Sequence, residues 1–144
     1  MEAKELFERW LEGGVRQDLQ VRDGGVYLTA AEVEVVHKHG RVDFSGNECK
    51  QCTGHAVMAT EHNPGDQFAW WRLQGGAYIV RFNETLKEGA PPVLLVSTPQ
   101  LLACGCSLAA TIAAPGPLQS VLTVHERSVN VKQNARIALL RALA

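Results

Sequence analysis

From Gly89 to Val124 the chain carries 36 residues without one formally charged side chain, in a protein where charged residues make up 20% of the sequence. Such a run has three physical outcomes: burial, a membrane span, or disorder. A spanning helix needs about 20 consecutive, mostly apolar residues, and Pro91, Pro92, Pro99, Gly105, Pro115, Gly116 and Pro117 interrupt this run. Proline inside a helix removes a backbone donor and clashes with the preceding turn. Disordered segments are poor in branched apolar residues, whereas Val93-Leu94-Leu95-Val96, Leu101-Leu102 and Val121-Leu122-Thr123-Val124 are rich in them. The run therefore reads as short buried strands joined by turns.

The rest of the chain agrees with a mainly β protein. At 144 residues and 46% apolar content, residues 1–144 form one domain with a substantial core. A net charge of −1 gives no basic surplus and hence no nucleic-acid signal. Met1-Glu2-Ala3-Lys4-Glu5 is charged and leads into an amphipathic stretch, not a signal peptide, so a soluble cytoplasmic protein without a membrane partner is expected. Leu6, Phe7, Trp10 and Leu11 share one helical face, and Gly13-Gly14 supplies a stop, which predicts a docking helix over 2–12.

The period then changes to two. Along 25–36, Val33 and Val35 alternate with Glu32 and Glu34, the pattern of a half-buried strand. Residues 41–44 suggest another short strand, and 47–67, with Gly54, Pro64 and Gly65, a polar loop. Further strands are expected over 68–73, 77–82, 93–96, 101–104, 107–113, 119–125, 128–131 and 135–143. Many short strands at close spacing predict a sandwich, jelly-roll or barrel.

Four cysteines form two close pairs, Cys49/Cys52 and Cys104/Cys106, with His55 near the first. Four thiolates would complete a structural zinc site, and a disulfide or redox pair is a second reading. A Cys-x-Cys inside an apolar run is off the zinc-ribbon pattern and reads more naturally as two small buried residues on one strand face. In His37-Lys38-His39 the alternate histidines share a face that could bind a metal, although no third ligand is marked nearby, and a solvated turn is the plainer reading. Trp70-Trp71-Arg72 could stack a base, but strand tryptophans more often fill a core or an interface. Dinucleotide, phosphate-loop and serine-elbow motifs are absent, so nucleophilic catalysis is not signalled.

Three segments in order resemble the dUTPase and dCTP deaminase superfamily, its archaeal-type dUTPases in particular. They are 25–44, beginning Gly25-Val26-Tyr27-Leu28-Thr29; then 75–85, Gly75-Gly76-Ala77-Tyr78-Ile79-Val80-Arg81-Phe82-Asn83-Glu84-Thr85; then 95–140, passing Cys104-Gly105 and Ala114-Pro115-Gly116 and closing on Ala135-Arg136-Ile137-Ala138-Leu139-Leu140. The resemblance covers residues 15–142. It implies a distorted β-barrel or jelly-roll (a β-clip) with a short N-terminal helix, assembled as a homotrimer with active sites between subunits. It implies Mg²⁺ and basic side chains on a triphosphate, a hairpin that reads the pyrimidine, and a carboxylate that orients water or moves a proton.

The site residues implied by that resemblance are not carried by this chain. Where the family has Arg-Ser-Ser-Leu on the phosphates, this chain has Thr98, Pro99, Gln100 and Leu101, with Ala103 at a following arginine. The hairpin Asp-Pro-Gly-Tyr is matched by Ala114, Pro115, Gly116 and Pro117; the deaminase glutamate falls near Val124; a nucleotide-holding glutamine is matched by Leu139, and an early aspartate by Tyr27. Arg136 remains as a possible nucleotide contact. A nucleoside triphosphate brings about four negative charges that need cations or a metal, and water attack on phosphorus needs positioning and charge stabilisation. The expectation is a catalytically degenerate homotrimeric paralogue with a binding or structural role, taking a deoxynucleotide, an uncharged ligand or a protein partner. The alternative is a divergent Mg²⁺-dependent dUTP diphosphatase built from charged residues outside 89–124, namely Arg72, Arg81, Glu84, Glu126, Arg127 and Arg136. A third possibility is zinc at Cys49, Cys52, Cys104 and Cys106.

Overall fold

The N-terminus is helical for eight residues and then pairs as a strand. The computed structural model describes residues 1–38, 40–125 and 127–143; His39, Glu126 and Ala144 lie outside the described residues. An α-helical turn, Ala3–Glu5 (α1), runs into a π-helical segment, Leu6–Trp10, and Leu11–Glu12 (β1) then pairs with Leu86 and Thr85. The helix expected over 2–12 therefore ends at Trp10. Leu6 and Leu11 are buried beneath it, and Phe7 and Trp10 pack against the same core.

After Gln17–Gln20 (α2), Val21–Arg22 (β2) turns back into the long Gly25–Lys38 (β3). Asp23 and Gly24 both have positive φ, 56° and 74°, and Arg22 pairs with Gly25. This is a two-residue hairpin of the Asp-Gly kind, whose left-handed residues match the strand twist. There follow Thr53–Ala56 (β4), Trp70–Leu73 (β5), Gly76–Leu86 (β6), Val93–Ser97 (β7), the helix Pro99–Ala103 (α3), Cys106–Leu108 (β8), Thr111–Ala113 (β9), Gly116–Val124 (β10), Val129–Lys132 (β11) and Arg136–Ala142 (β12).

The main sheet runs β8-β10-β6-β3-β12-β7-β9, and β5 pairs separately with β11. The two edge strands β8 and β9 are consecutive in sequence, so the sheet curls until its edges nearly meet. The Ser97 hydroxyl on β7 accepts from the Leu108 N–H on β8 at 2.6 Å and bridges the gap. The interior holds Val26, Leu28, Val80, Leu86, Val93, Leu95, Leu122 and Leu140, each almost completely buried. Burying such side chains stabilises by about 1.5–3 kcal/mol each. The expected mainly β, distorted barrel fold is what the chain adopts.

Several local expectations fail for identifiable reasons. Residues 101–104 are not a strand: Thr98 accepts from the Leu101 N–H at 3.3 Å, Pro99 occupies the first turn, and a helix follows. Residues 41–44 are not a strand either, apart from a bridge between Arg41 and Lys50. The Asp43 carboxylate instead accepts from Ser45 Oγ, the Glu48 N–H and Cys49 Sγ, a local network that competes with ladder pairing and leaves Val42 and Phe44 fully exposed. The loop expected over 47–67 contains β4. Val33 is buried but Val35 is 40% exposed. The expectation that the charge-free run is buried also fails, since 17 of its 36 residues are exposed.

Candidate functional site

Two buried or half-buried polar assemblies flank β3. The first is internal. Glu84 on β6 has no exposed surface, and its carboxylate accepts from the Thr29 N–H at 2.7 Å, Thr29 Oγ1 at 2.6 Å and Gln20 Nε2 at 3.2 Å. Gln20 in turn accepts from the Val15 and Arg16 N–H groups, and Asn83 Nδ2 donates to Thr29 Oγ1 and Asn134 Oδ1. Burial pushes the Glu84 carboxyl above its ordinary value, and the hydrogen bonds from Thr29 and Gln20 only partly oppose this.

The second assembly opens to solvent. Arg22, Asp23, Tyr27, Gln100 and Arg136 line a cavity of about 280 Å³. The β2–β3 hairpin supplies the first two, β3 the tyrosine, α3 the glutamine and the start of β12 the arginine. Tyr27 donates to Asp23 Oδ2 at 2.6 Å, and this bond, with burial and the aspartate charge, raises the phenol above its usual range. The Arg136 guanidinium lies 5.5 Å from the Tyr27 ring centre and donates to the Leu19 carbonyl at 2.7 Å. Arg22 donates to the Asp18 carbonyl at 3.0 Å, and Arg141 to the Asp23 carbonyl at 3.0 Å. A neighbouring cavity of about 250 Å³ shares Gln100 and Arg136 and adds Trp70, Lys132 and Cys104.

This groove suits an anion, because two guanidiniums present planar arrays of donors beside a neutral amide. It does not suit Mg²⁺, which takes oxygen ligands and one or two carboxylates. Asp23 is the carboxylate of the cavity, it is held by Tyr27, and the arginines around it repel a cation.

The residues matched through the resemblance are divided. Thr98, Pro99, Gln100 and Ala103 lie on or beside α3; Thr98 is buried as its cap, whereas Gln100 and Ala103 are exposed. Arg136 joins Gln100 and Tyr27 at the cavity. Ala114 and Pro115 form the β9–β10 turn and Gly116 and Pro117 begin β10, at the far end of β7: Ala113 pairs with Val93, and Gly116 with Leu86. Five residue steps along β7 separate Val93 from Thr98, about 16 Å at strand rise. One chain therefore does not bring these two segments to a common centre. Val124 and Leu139 are buried ladder residues, Val124 opposite Gly76 and Cys106, Leu139 between Tyr27 and Val96.

The other charged candidates are scattered. Arg81 is ion-paired with Glu34, Glu84 is the internal carboxylate, Arg72 and Arg127 are exposed, and Glu126 lies outside the described residues. The cysteines do not converge. Cys49 and Cys52 line one cavity with Arg41 and Lys50, Cys104 ends α3, and Cys106 is buried at the start of β8. All four are free thiols, and the expected shared strand face for Cys104 and Cys106 is not formed. Among the described residues no group of three or more His, Cys, Asp or Glu stands close enough to hold a metal, so zinc does not fit the four thiols. Trp71 is core, while Trp70 stacks on His62 at 4.9 Å with Lys132 near its ring. Arg22 and Asp23 escaped the reading of the sequence, although Asp-Gly ahead of an apolar run is a strong hairpin signal.

No family model matches the chain. Probable deoxyuridine 5'-triphosphate nucleotidohydrolases are similar to it: that of Methanosarcina mazei is 29% identical over 138 residues, covering 90% of this chain and 75% of the relative. The Methanococcoides burtonii protein is 24% identical over 136 residues, covering 90% and 76%. Among solved structures, 2'-deoxycytidine 5'-triphosphate deaminase from Agrobacterium tumefaciens superposes with a TM-score of 0.61 at 14% identity, over 95% of this chain. This chain spans 44% of that deaminase's length. No helix among the described residues is long and apolar enough to cross a membrane. Sequence similarity along nine tenths of the chain, joined to likeness of fold, relates this protein to the dUTPase and dCTP deaminase superfamily.

Proposed function

We propose that this chain is a single-domain, homotrimeric relative of the dUTPases that has lost nucleotide hydrolysis and retains a binding role. One observation carries the reading: α3 and the 114–117 turn both reach the surface, and neither offers a cation or a carboxylate. Family-site positions filled by glutamine, alanine, glycine and proline bring no charge to neutralise a triphosphate and no carboxylate to activate water. Exposed apolar side chains at Leu102, Ile112 and Val121 favour association between copies.

The test is turnover of dUTP and dCTP with Mg²⁺, followed by diphosphate and ammonia release, beside light scattering for oligomeric state. The expected result is no turnover above a no-protein control and a trimeric mass. Measurable turnover would overturn the loss of hydrolysis, and a monomer would overturn the assembly.

The Arg22–Arg136 cavity favours a second reading, a divergent dUTP diphosphatase that uses cations outside the charge-free run. It requires dUTP turnover that falls when Arg136 is replaced by alanine. The same cavity also serves the first reading, as an anion-binding pocket without hydrolysis. In that case a nucleotide raises the melting temperature without being consumed.

A further inference from the structure

We propose that His37 and His55 form a two-histidine site for a borderline divalent transition ion such as Zn²⁺ or Ni²⁺ on the exposed β3–β4 ladder. The sequence shows alternate histidines at 37 and 39 with no further ligand nearby; the tertiary structure brings a second imidazole from the next strand. Val35 pairs with His55 and Val36 with Gly54, and the register then shifts before Lys38 pairs with Thr53. His37 is the extra residue of this bulge, and a bulge re-aims the side chain it carries. The bulge turns the His37 ring toward His55, the partner of Val35 on the next strand. The two ring centres are 4.1 Å apart at 50°.

Gly54 permits the close approach of the strands, since a Cβ there would lie 2.6 Å from the Val35 carbonyl oxygen. Both histidines are exposed, and among the described residues neither imidazole is engaged in a hydrogen bond that would have to break. Imidazole nitrogen binds zinc at about 2.0–2.1 Å, and rings already in contact reach one ion by side-chain rotation. Two neutral nitrogen donors select zinc, nickel or copper over magnesium and calcium, which require oxygen. With no third ligating side chain among the described residues, water or an external donor completes the shell and the site stays open.

The test is calorimetric titration of the full chain with Zn²⁺ and Ni²⁺, Mg²⁺ serving as control, in a Cys49→Ser, Cys52→Ser background that removes competing thiols. One equivalent should bind in the micromolar range, and His37→Gln or His55→Gln should each weaken it about tenfold or more. Circular dichroism of both variants should match the parent, since both residues are exposed. Copper(II) resonance should report two nitrogen ligands in the parent and fewer in each variant. Absence of binding in the parent, or binding unchanged by both substitutions, overturns the site.

Discussion

The two polar assemblies beside β3 contrast sharply in what they do with charge. Around Glu84 every polar group is turned inward and partnered, and the carboxylate has no open side for a ligand. Around Tyr27 the arginines are anchored by one bond each to a backbone carbonyl and keep further donors facing a cavity. The first assembly joins α2, β3 and β6 inside the protein; the second lies where β3 and its hairpin from β2 meet α3 and β12, and opens to solvent. The Asn83-Glu84 pair, within one of the most family-like segments of the sequence, belongs to the structural assembly. Family likeness there reflects a scaffold, and says nothing for or against chemistry at the cavity.

The largest effect should come from breaking the inner assembly. Glu84→Ala removes the partner of two Thr29 donors and the Gln20 amide and opens a void, so urea denaturation should show a loss of about 3 kcal/mol or more. Glu84→Gln keeps the shape and should lose far less, with a pH signature. Burial raises the folded-state pKa of Glu84, so the native state holds its proton more tightly than the unfolded chain. The wild type should lose stability relative to Glu84→Gln as pH rises from about 4.3, the ordinary glutamate value, through the raised folded value, and change no further above it. Melting curves of both proteins across that range check the sign; a difference that grows toward acid in favour of the variant would contradict it.

Next in size is the cap of α3. Thr98→Ala should cost about 1 kcal/mol, read by the same denaturation, and should loosen the segment that presents Gln100 to the cavity. At the outer assembly, Arg136→Ala should cost at most about 1 kcal/mol through its contacts with Leu19 and Tyr27. It should abolish any rise in melting temperature produced by inorganic phosphate or nucleotide. If stability falls as far as for Glu84→Ala while ligand response survives, the division between the two assemblies is wrong. Smallest of all, Phe44→Ser, at a fully exposed loop position, should change stability by no more than about 0.5 kcal/mol.

How much was legible in the sequence varies with the range of the interaction. The patterns that predict strands over 77–82, 93–96 and 135–143 are local and strong, and strands form there, the first running on to Leu86. The Thr98-Pro99 start of α3 was equally local, but the apolar Leu101-Leu102 pair suits a strand as well as a helix. The tie is broken by one cap bond and a proline. The cavity was partly legible: Tyr27, Gln100 and Arg136 were singled out, whereas Arg22 and Asp23 were missed. The Asp23-Gly24 turn is local, but no short motif encodes the meeting of that hairpin with Arg136, far along the chain.

By itself the sequence determined that the chain builds a mainly β fold, and that 36 consecutive residues carry no formally charged side chain, since charge is a property of residue identity. It could not decide what those residues do with solvent. Apolar and uncharged are not the same as buried, and nearly half of the run faces outward because the curled sheet has only one interior to fill. Only the tertiary structure decided that, and only it brought Arg22 to Arg136, Glu84 to Thr29 and His37 to His55. Such pairs depend on strand register, which is fixed by the cooperative packing of the whole sheet.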